Sequence, residues 1–222
     1  YVIYCAINND LEKDLSSVQK FVKIAKKYLK GSNILYTSSG AVYGNQSISI
    51  PYFKENKKIN PKNHNSLIRK HYAISKIKSE REFKKLVKSD INISIARCFA
   101  FVGKRLPLSK HFVIGNFIKN ILDKKDIIIK SQKKVIRSYM HADDLVFCLF
   151  KLLFDHREKF KTFNVGSEDE IDIKNIAIKL SRKYNSKVIM PSLKKNNGFD
   201  KYIPNISKFR KKYNYKKKLS SY

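Results

Sequence analysis

Cysteine is scarce in this chain: Cys5, Cys98 and Cys148 are its only three, and they lie far apart. That leaves neither a metal-ligand spacing nor a disulfide framework. Each falls in an apolar stretch, which reads as a buried free thiol in a reducing cytoplasm. No run of about 18 apolar residues occurs, so nothing is built to span a membrane, and no signal-peptide pattern is visible. Internal repeats and linker-like stretches are missing as well. The largest deficit is of negative charge: 18 Asp and Glu stand against 48 Lys and Arg, a formal net charge of +30. Such a charge raises nucleic-acid binding as a hypothesis. Lysine, however, is spread over nearly every segment and arginine is scarce, so no helix or stripe concentrates it. The lysines read as solvated surface, as in a chain also rich in Ile, Asn and Tyr through drift towards A and T. Nucleic acid is therefore not the expected partner, while an anionic substrate would still benefit from the field.

What the chain does have is length and apolar content, 222 residues at 42% hydrophobic, enough for one sizeable core with a small lobe attached. Its most chemical stretch is Tyr72-Ala73-Ile74-Ser75-Lys76. Residues four apart share a helix face, so Tyr72 and Lys76 can reach into one pocket. A phenol titrates near pH ~10, and a neighbouring ammonium lowers that value. The pair reads as a proton-transfer device. Upstream, Ile34-Leu35-Tyr36-Thr37-Ser38-Ser39-Gly40-Ala41-Val42-Tyr43-Gly44 is an apolar run that breaks into hydroxyls and then glycines. That is the pattern of a buried strand ending in a tight loop, and ligands bind at such strand ends in open α/β sheets.

The remaining periodicities fit the same architecture. Tyr1 to Ala6 is a continuous apolar run, expected to be a buried parallel strand. Val18, Phe21, Val22, Ala25 and Leu29 mark a helix from Ser16 or Ser17 to Leu29, stopped by Gly31. A polar loop through Pro51 and Pro61, expected to cover the site, leads to a helix from about Ser66 to Lys88. Ile91 to Cys98 is the next strand. This alternation predicts a doubly wound parallel sheet. Later come a short helix Phe112 to Leu122, short strands Ile127 to Ile129 and Val135 to Tyr139, and a helix opened by Asp143 and Asp144. A strand Phe163 to Val165, a helix Ile171 to Tyr184 and a fraying helix from Lys208 to Lys218 complete the reading.

The Ser/Thr cluster followed by the Tyr/Lys helix resembles the NAD-dependent epimerase/dehydratase family, the nucleotide-sugar branch of the extended short-chain dehydrogenases/reductases. The resemblance runs over essentially the whole chain. It implies a Rossmann-like parallel sheet with a small C-terminal substrate-binding α/β lobe. Residues 1–103 would be the remainder of the NAD-binding domain. Residues 104–222 would be mainly the substrate lobe, with about 134–165 returning to the first domain. Tyr1 to Ala6 would be the family's fourth strand. The chain opens without Met inside that strand, and no G-x-G-x-x-G occurs in it. It is thus expected to be cut at its front and, by itself, to bind NAD weakly.

Roles follow from the same resemblance. The catalytic set would be Ser39, Tyr72 and Lys76, with hydride passing to NAD or NADP from a nucleotide sugar. Tyr72 would remove the hydroxyl proton, helped by Ser39, while Lys76 lowers the Tyr72 pKa and holds the nicotinamide ribose. Ala6, Thr37, Ser38 and Phe99 would be further cofactor contacts. Gly40 and Ala41 would meet the substrate, and they stand where dehydratases and decarboxylases usually carry acids, which favours epimerase or reductase chemistry. Ala100 stands where many members have an asparagine on the substrate phosphate. In Leu106-Pro107-Leu108, His111-Phe112 and Gly115-Asn116-Phe117, Asn116 could offer its amide to the nucleotide, whereas His111 reads as packed or solvated. Arg137, in Arg137-Ser138-Tyr139-Met140-His141-Ala142-Asp143-Asp144, is the pyrophosphate anchor by its bidentate geometry. Asp200 in Asp200-Lys201-Tyr202-Ile203-Pro204 would contact the sugar nucleotide. Asp143 and Asp144 start a helix; no metal is expected. The family also implies a homodimer. A non-catalytic relative, or a nucleic-acid binder on the same fold, are the readings from other classes.

Overall fold

Alternation along two central strands organises the molecule. A computed structural model describes residues 1–8, 10–47, 49–108, 112–192 and 198–217. In chain order its elements are β1 (Val2–Tyr4), α1 (Leu11–Tyr28), β2 (Asn33–Ser39), α2 (Leu67–Lys85), β3 (Asn92–Cys98), β4 (Phe101–Val102), α3 (Val113–Leu122), β5 (Ile127–Ile128) and β6 (Lys134–Arg137). There follow β7 (Met140–His141), α4 (Ala142–Phe154), β8 (Phe160–Val165), β9 (Ile171–Asp172), α5 (Ile173–Tyr184), β10 (Val188–Ile189), β11 (Phe199–Tyr202) and α6 (Ser207–Tyr213). The main sheet has the order β1-β2-β3-β8, with every pair parallel.

Because successive side chains point to opposite faces, Ile34, Tyr36, Ile93 and Ile95 turn to one side. There they pack with Val18, Val22 and Ala25 of α1 and Phe83 of α2. Leu35 and Ala96 turn to the other side, against Cys148 and Leu152 of α4 and Phe209 of α6. Even the polar residues of that face are used: Ser94 Oγ donates to the Leu152 carbonyl at 2.9 Å and Asn33 Nδ2 to that of Leu153 at 2.9 Å. Helices on both faces make the sheet doubly wound. The C-terminal lobe carries β11-β6-β9 and β10-β5, closed by α3 and α5 over Phe117, Ile127, Tyr139, Ile173 and Ala177.

The structure corrects several expectations. Helix α1 begins well before Ser16, because Asp10 caps it by accepting the Glu12 and Lys13 amides. The first strand is shorter than Tyr1 to Ala6 and sits at the sheet edge among the described residues, so Ile3 is exposed rather than buried. Cys5 is exposed for the same reason, while Cys98 is half-buried and Cys148 buried. Burial pushes the Cys98 and Cys148 thiols up to about 12. Of the Val135 to Tyr139 stretch only the part up to Arg137 is strand, in β6; the next strand, β7, begins after it at Met140. The last helix ends at Tyr213, with Asn214 in the left-handed region; Lys218 lies outside the described residues. The proline loop is stitched down: Phe53 is fully buried, donates its amide to the Ile203 carbonyl at 3.0 Å, and accepts from Asn205 at 2.7 Å.

Candidate active site

Strand β2 keeps its ladder through the hydroxyl residues Thr37, Ser38 and Ser39 and stops there. Ser39 is still extended, and its Oγ accepts the Ala41 amide at 3.2 Å, turning the chain into one 3-10 turn, Gly40–Tyr43. His64 fastens that turn from outside through Nε2 and the Ala41 carbonyl, 2.7 Å apart. Helix α2 brings Tyr72 and Lys76 to the same carboxyl end of the sheet. The structure therefore joins Ser39, Tyr72 and Lys76: the Tyr72 phenol is a hydrogen-bonding neighbour of the Ser39 hydroxyl. The Lys76 ammonium reaches the Thr37 carbonyl at 3.4 Å and lies 5.1 Å and 5.8 Å from the ring centroids of Tyr36 and Tyr72.

The electrostatics differ from the simple expectation for this pair. Burial raises the Tyr72 phenol above its ordinary value, and a hydrogen bond from Ser39 works against it. Lys76 is itself buried, and desolvation lowers its pKa while the carboxylate of Asp14 works the other way. Asp14 is buried in the first turn of α1, held by the Asn8 amide at 2.9 Å and the Ser75 hydroxyl at 3.3 Å. Nothing in the sequence pattern of α1 marked it out.

Beneath the site runs a buried polar network. Glu80 of α2 accepts from Ser38 Oγ at 2.6 Å, Arg97 Nε at 3.0 Å and Arg97 Nη2 at 2.7 Å. Arg97 Nη1 donates to the Tyr43 hydroxyl at 2.9 Å, and that hydroxyl donates to Asn164 Oδ1 at 2.8 Å. Desolvation opposes the Arg97 charge, but Glu80 and Tyr43 hold the guanidinium firmly protonated. Ser38, read from sequence as a cofactor contact, gives its hydroxyl proton to Glu80, on the face that packs against α2. Phe99 is also placed in the core, its ring among Tyr43, Phe53 and Tyr202, so a ligand could meet only its backbone.

Of the other candidates, Thr37 is half-buried with its hydroxyl 3.3 Å from the Tyr4 carbonyl, and Ala6 is exposed just past β1. Asn116 is an exposed residue of α3; His111 lies outside the described residues. Arg137 and Asp200 are brought together. Arg137 Nη2 donates to Asp200 Oδ2 at 2.8 Å and Nη1 to the Asp200 carbonyl at 2.6 Å. Arg69, missed from sequence, stands 3.5 Å from the same carboxylate. Burial raises the Asp200 carboxyl, and Arg137 and Arg69 together outweigh it, so it stays below the usual carboxylate range. Two guanidiniums over one carboxylate leave a net positive charge for an anion. Gly40 is buried: a Cβ there would sit 2.6 Å from the Tyr202 hydroxyl and closer still to the Phe99 ring. Ala41 keeps a half-buried position beside it.

Tyr202 is the residue that sequence reasoning passed over. It ends β11 opposite Arg137, stacks on Phe99 with centroids 4.6 Å apart, and places its hydroxyl against Ser39. Among the described residues no helix is long and apolar enough to cross a membrane, and no group of three or more His, Cys, Asp or Glu could hold a metal ion. A surface hollow of about 430 Å³ lies away from this site, beside Phe150, Phe154 and Tyr213.

Residues 7–166 match the model of the NAD dependent epimerase/dehydratase family. UDP-glucuronic acid decarboxylase 1 of Arabidopsis thaliana is 29% identical over 136 residues, which is 59% of this chain and 30% of that protein. The aligned region thus spans under a third of that relative's length. The UDP-glucose 4-epimerase of Thermotoga maritima, solved with UDP-glucose, superimposes with a TM-score of 0.82 at 18% identity, covering 99% of this chain and 72% of that one. The dTDP-glucose 4,6-dehydratase of Bacillus anthracis, solved with NAD, gives 0.81 at 17% identity, with 99% and 68% covered. At such identities the two structures speak for the fold, and the family match covers most of the sequence: the chain belongs to the NAD-dependent epimerase/dehydratase family.

Proposed function

We propose that this chain carries the proton-transfer and substrate-holding parts of a nucleotide-sugar enzyme of epimerase/dehydratase type. The observation that supports it is the meeting of Ser39 and Tyr72 at the carboxyl end of the sheet, with Lys76 one helical turn on. Tyr72 exchanges the proton of a sugar hydroxyl, and the Ser39 hydroxyl steadies the charge left on the phenol oxygen. Lys76 fits the nicotinamide ribose. Its buried ammonium has three donors and one long hydrogen bond, to Thr37 at 3.4 Å, so donors remain for ribose hydroxyls. When bound, NAD takes up and returns the hydride; the protein's share is position and field. The 222 residues contain no glycine-rich phosphate loop, so none of them is assigned to the pyrophosphate of the cofactor.

Arg137, with Arg69, grips the substrate's pyrophosphate, and Asp200 sets the angle of the Arg137 fork. Residues 1–103 handle cofactor and proton, and residues 104–222 form mainly the substrate lobe, with about 134–165 returning to the first part. Gly40 and Ala41 bring no carboxylate beside Ser39, and expelling water would need an acid there. Epimerisation or keto-sugar reduction is the reaction that asks only for Ser39, Tyr72 and Lys76. The test is turnover of UDP- and dTDP-sugars with NAD. Tyr72→Phe keeps the ring and deletes the proton acceptor, so the rate should fall by about 10²–10⁴-fold with substrate binding little changed. Lys76→Ala should damage both cofactor affinity and rate. A Tyr72→Phe protein that turns over like its parent refutes the assignment.

A further inference from the structure

The Ser39 oxygen has more neighbours than one hydroxyl can treat alike. A serine hydroxyl offers one proton and two lone pairs. One lone pair takes the Ala41 amide at 3.2 Å. What remains, one lone pair and one proton, faces two phenols, Tyr72 and Tyr202. Ser39 can therefore donate to only one of them and must accept from the other. The three hydroxyls form a directed chain, and its direction decides whether Ser39 supports the phenol that works on substrate.

The surroundings choose the direction. Tyr202 stands opposite Arg137 in the β11–β6 ladder; burial holds its phenol far above its ordinary value, outweighing the downward pull of that guanidinium, which is shared with the Asp200 carboxylate at 2.8 Å. Tyr72 faces Lys76, which among the described residues has no carboxylate within salt-bridge distance and lies 5.8 Å from the Tyr72 ring. Negative charge is therefore cheaper on Tyr72. Tyr202 is also held in place: stacking on Phe99 fixes its ring, and the missing Cβ of Gly40 is the gap that admits its hydroxyl.

Resting on the reading of Tyr72 given above, we propose that Tyr202 is a positioning residue of the reactive centre. Its O–H donates to Ser39 Oγ and so turns the single Ser39 proton towards Tyr72. No proton is consumed in this arrangement: the sugar hydroxyl proton arrives on the Tyr72 oxygen, while Ser39 and Tyr202 each keep their own. The place beside Ser39 that an acid would fill is thereby held by a neutral phenol. Through Ser39, Tyr202 makes the Tyr72 phenolate easier to form, since linked hydrogen bonds polarise one another.

The test does not need turnover. 3-Fluorotyrosine placed at position 72, whose phenol is more acidic, is titrated by fluorine-19 NMR in the parent chain, in Tyr202→Phe, in Ser39→Ala and in the double variant. Tyr202→Phe keeps the ring stacked on Phe99 and should raise the position-72 pKa by up to about half a unit. Ser39→Ala should raise it further. The double variant should match Ser39→Ala alone, because the coupling runs through that hydroxyl. An unchanged titration in Tyr202→Phe, or additive shifts in the double variant, overturns the proposal. Turnover is measured alongside. Loss of rate in Tyr72→Phe with no effect of Tyr202→Phe on the titration sinks only the role of Tyr202. The expected titrations with full turnover in Tyr72→Phe uphold the hydroxyl chain and sink the catalytic reading.

Discussion

Replacing Glu80 by Gln should show how much the structure under the site depends on one buried carboxylate. Glu80 accepts three hydrogen bonds, at 2.6, 3.0 and 2.7 Å, from Ser38 and Arg97. The two side chains of the ion pair are only 11% and 8% exposed. A glutamine has one carbonyl oxygen and an amide that donates, so at least one of the three donors must face another donor. The Arg97 charge also stays buried without its counter-ion. Breaking a buried pair on one side costs about 3–5 kcal/mol, and a retained hydrogen bond returns about 1 kcal/mol, which leaves a loss of about 2–4 kcal/mol. For a chain of this size each kcal/mol lowers Tm by about 2–4 °C, so the melt followed by circular dichroism should drop by about 4–16 °C. Glu82→Gln is the control: it faces Lys85 at 2.6 Å, but that lysine side chain is 57% exposed, and surface pairs contribute about 0–1 kcal/mol. If the two variants melt within about 2 °C of each other, the network does not hold the carboxyl ends of β2 and β3 together.

Three further outcomes can be checked. Asp155, 8% exposed, holds Arg157 at 2.8 Å, Tyr213 at 2.6 Å and Lys212 at 3.1 Å. Burial raises its carboxyl, but these partners hold it far below the usual range. Its folded pKa lies below its unfolded one, so its contribution is complete above about pH 5 and fades as the pH falls. Asp155→Asn should therefore cost about 2–3 kcal/mol at neutral pH, and the gap to the parent in denaturant titrations should close in acid. Gly40→Ala must displace the stacked Phe99–Tyr202 pair and should cost about 1–3 kcal/mol as overpacking; an unchanged melt would show that the pair moves freely. Arg137→Lys loses the fork that spans the Asp200 carboxylate and carbonyl. Calorimetry with a nucleoside diphosphate should then show about tenfold weaker binding, and equal affinity would remove Arg137 from the anion site.

Much of the site could be read from the chain because its signals are local. The break from Ile34-Leu35-Tyr36 into hydroxyls announces the end of β2, which comes three residues on at Ser39, and the four-residue spacing of Tyr72 and Lys76 needs only a helix. Other features depend on distant partners. Strand β11 includes Asp200 and Lys201, reads as polar, and becomes a strand only by pairing with β6, far back in the chain; Tyr202 stayed unnoticed with it. Glu80 looks like one more charge on a helix until Arg97, from the next strand, buries it. The start of α1 was misplaced for a different reason. Its first turn is polar and capped by Asp10, whereas periodicity registers only the apolar residues that follow.

The same long-range arrangement changes which group governs the phenol on the proposed reading. Spacing alone made Lys76 the tuner of Tyr72, since a helical turn separates them. In the fold, the ammonium sits over ring faces and reaches the Thr37 carbonyl, and burial weakens its charge just as burial opposes the phenolate. Desolvation acts on both partners towards their neutral forms. A hydrogen bond to the oxygen itself suffers no such loss, because it strengthens as the oxygen gains charge in a poorly solvated place. Ser39 supplies that bond, and the loop amide of Ala41 and the Tyr202 phenol decide which way its proton points. On the proposed reading, the acid–base strength of the centre depends on the turn that ends β2 and on the last residue of β11 as well as on the helical pair, and these elements meet only in the folded chain.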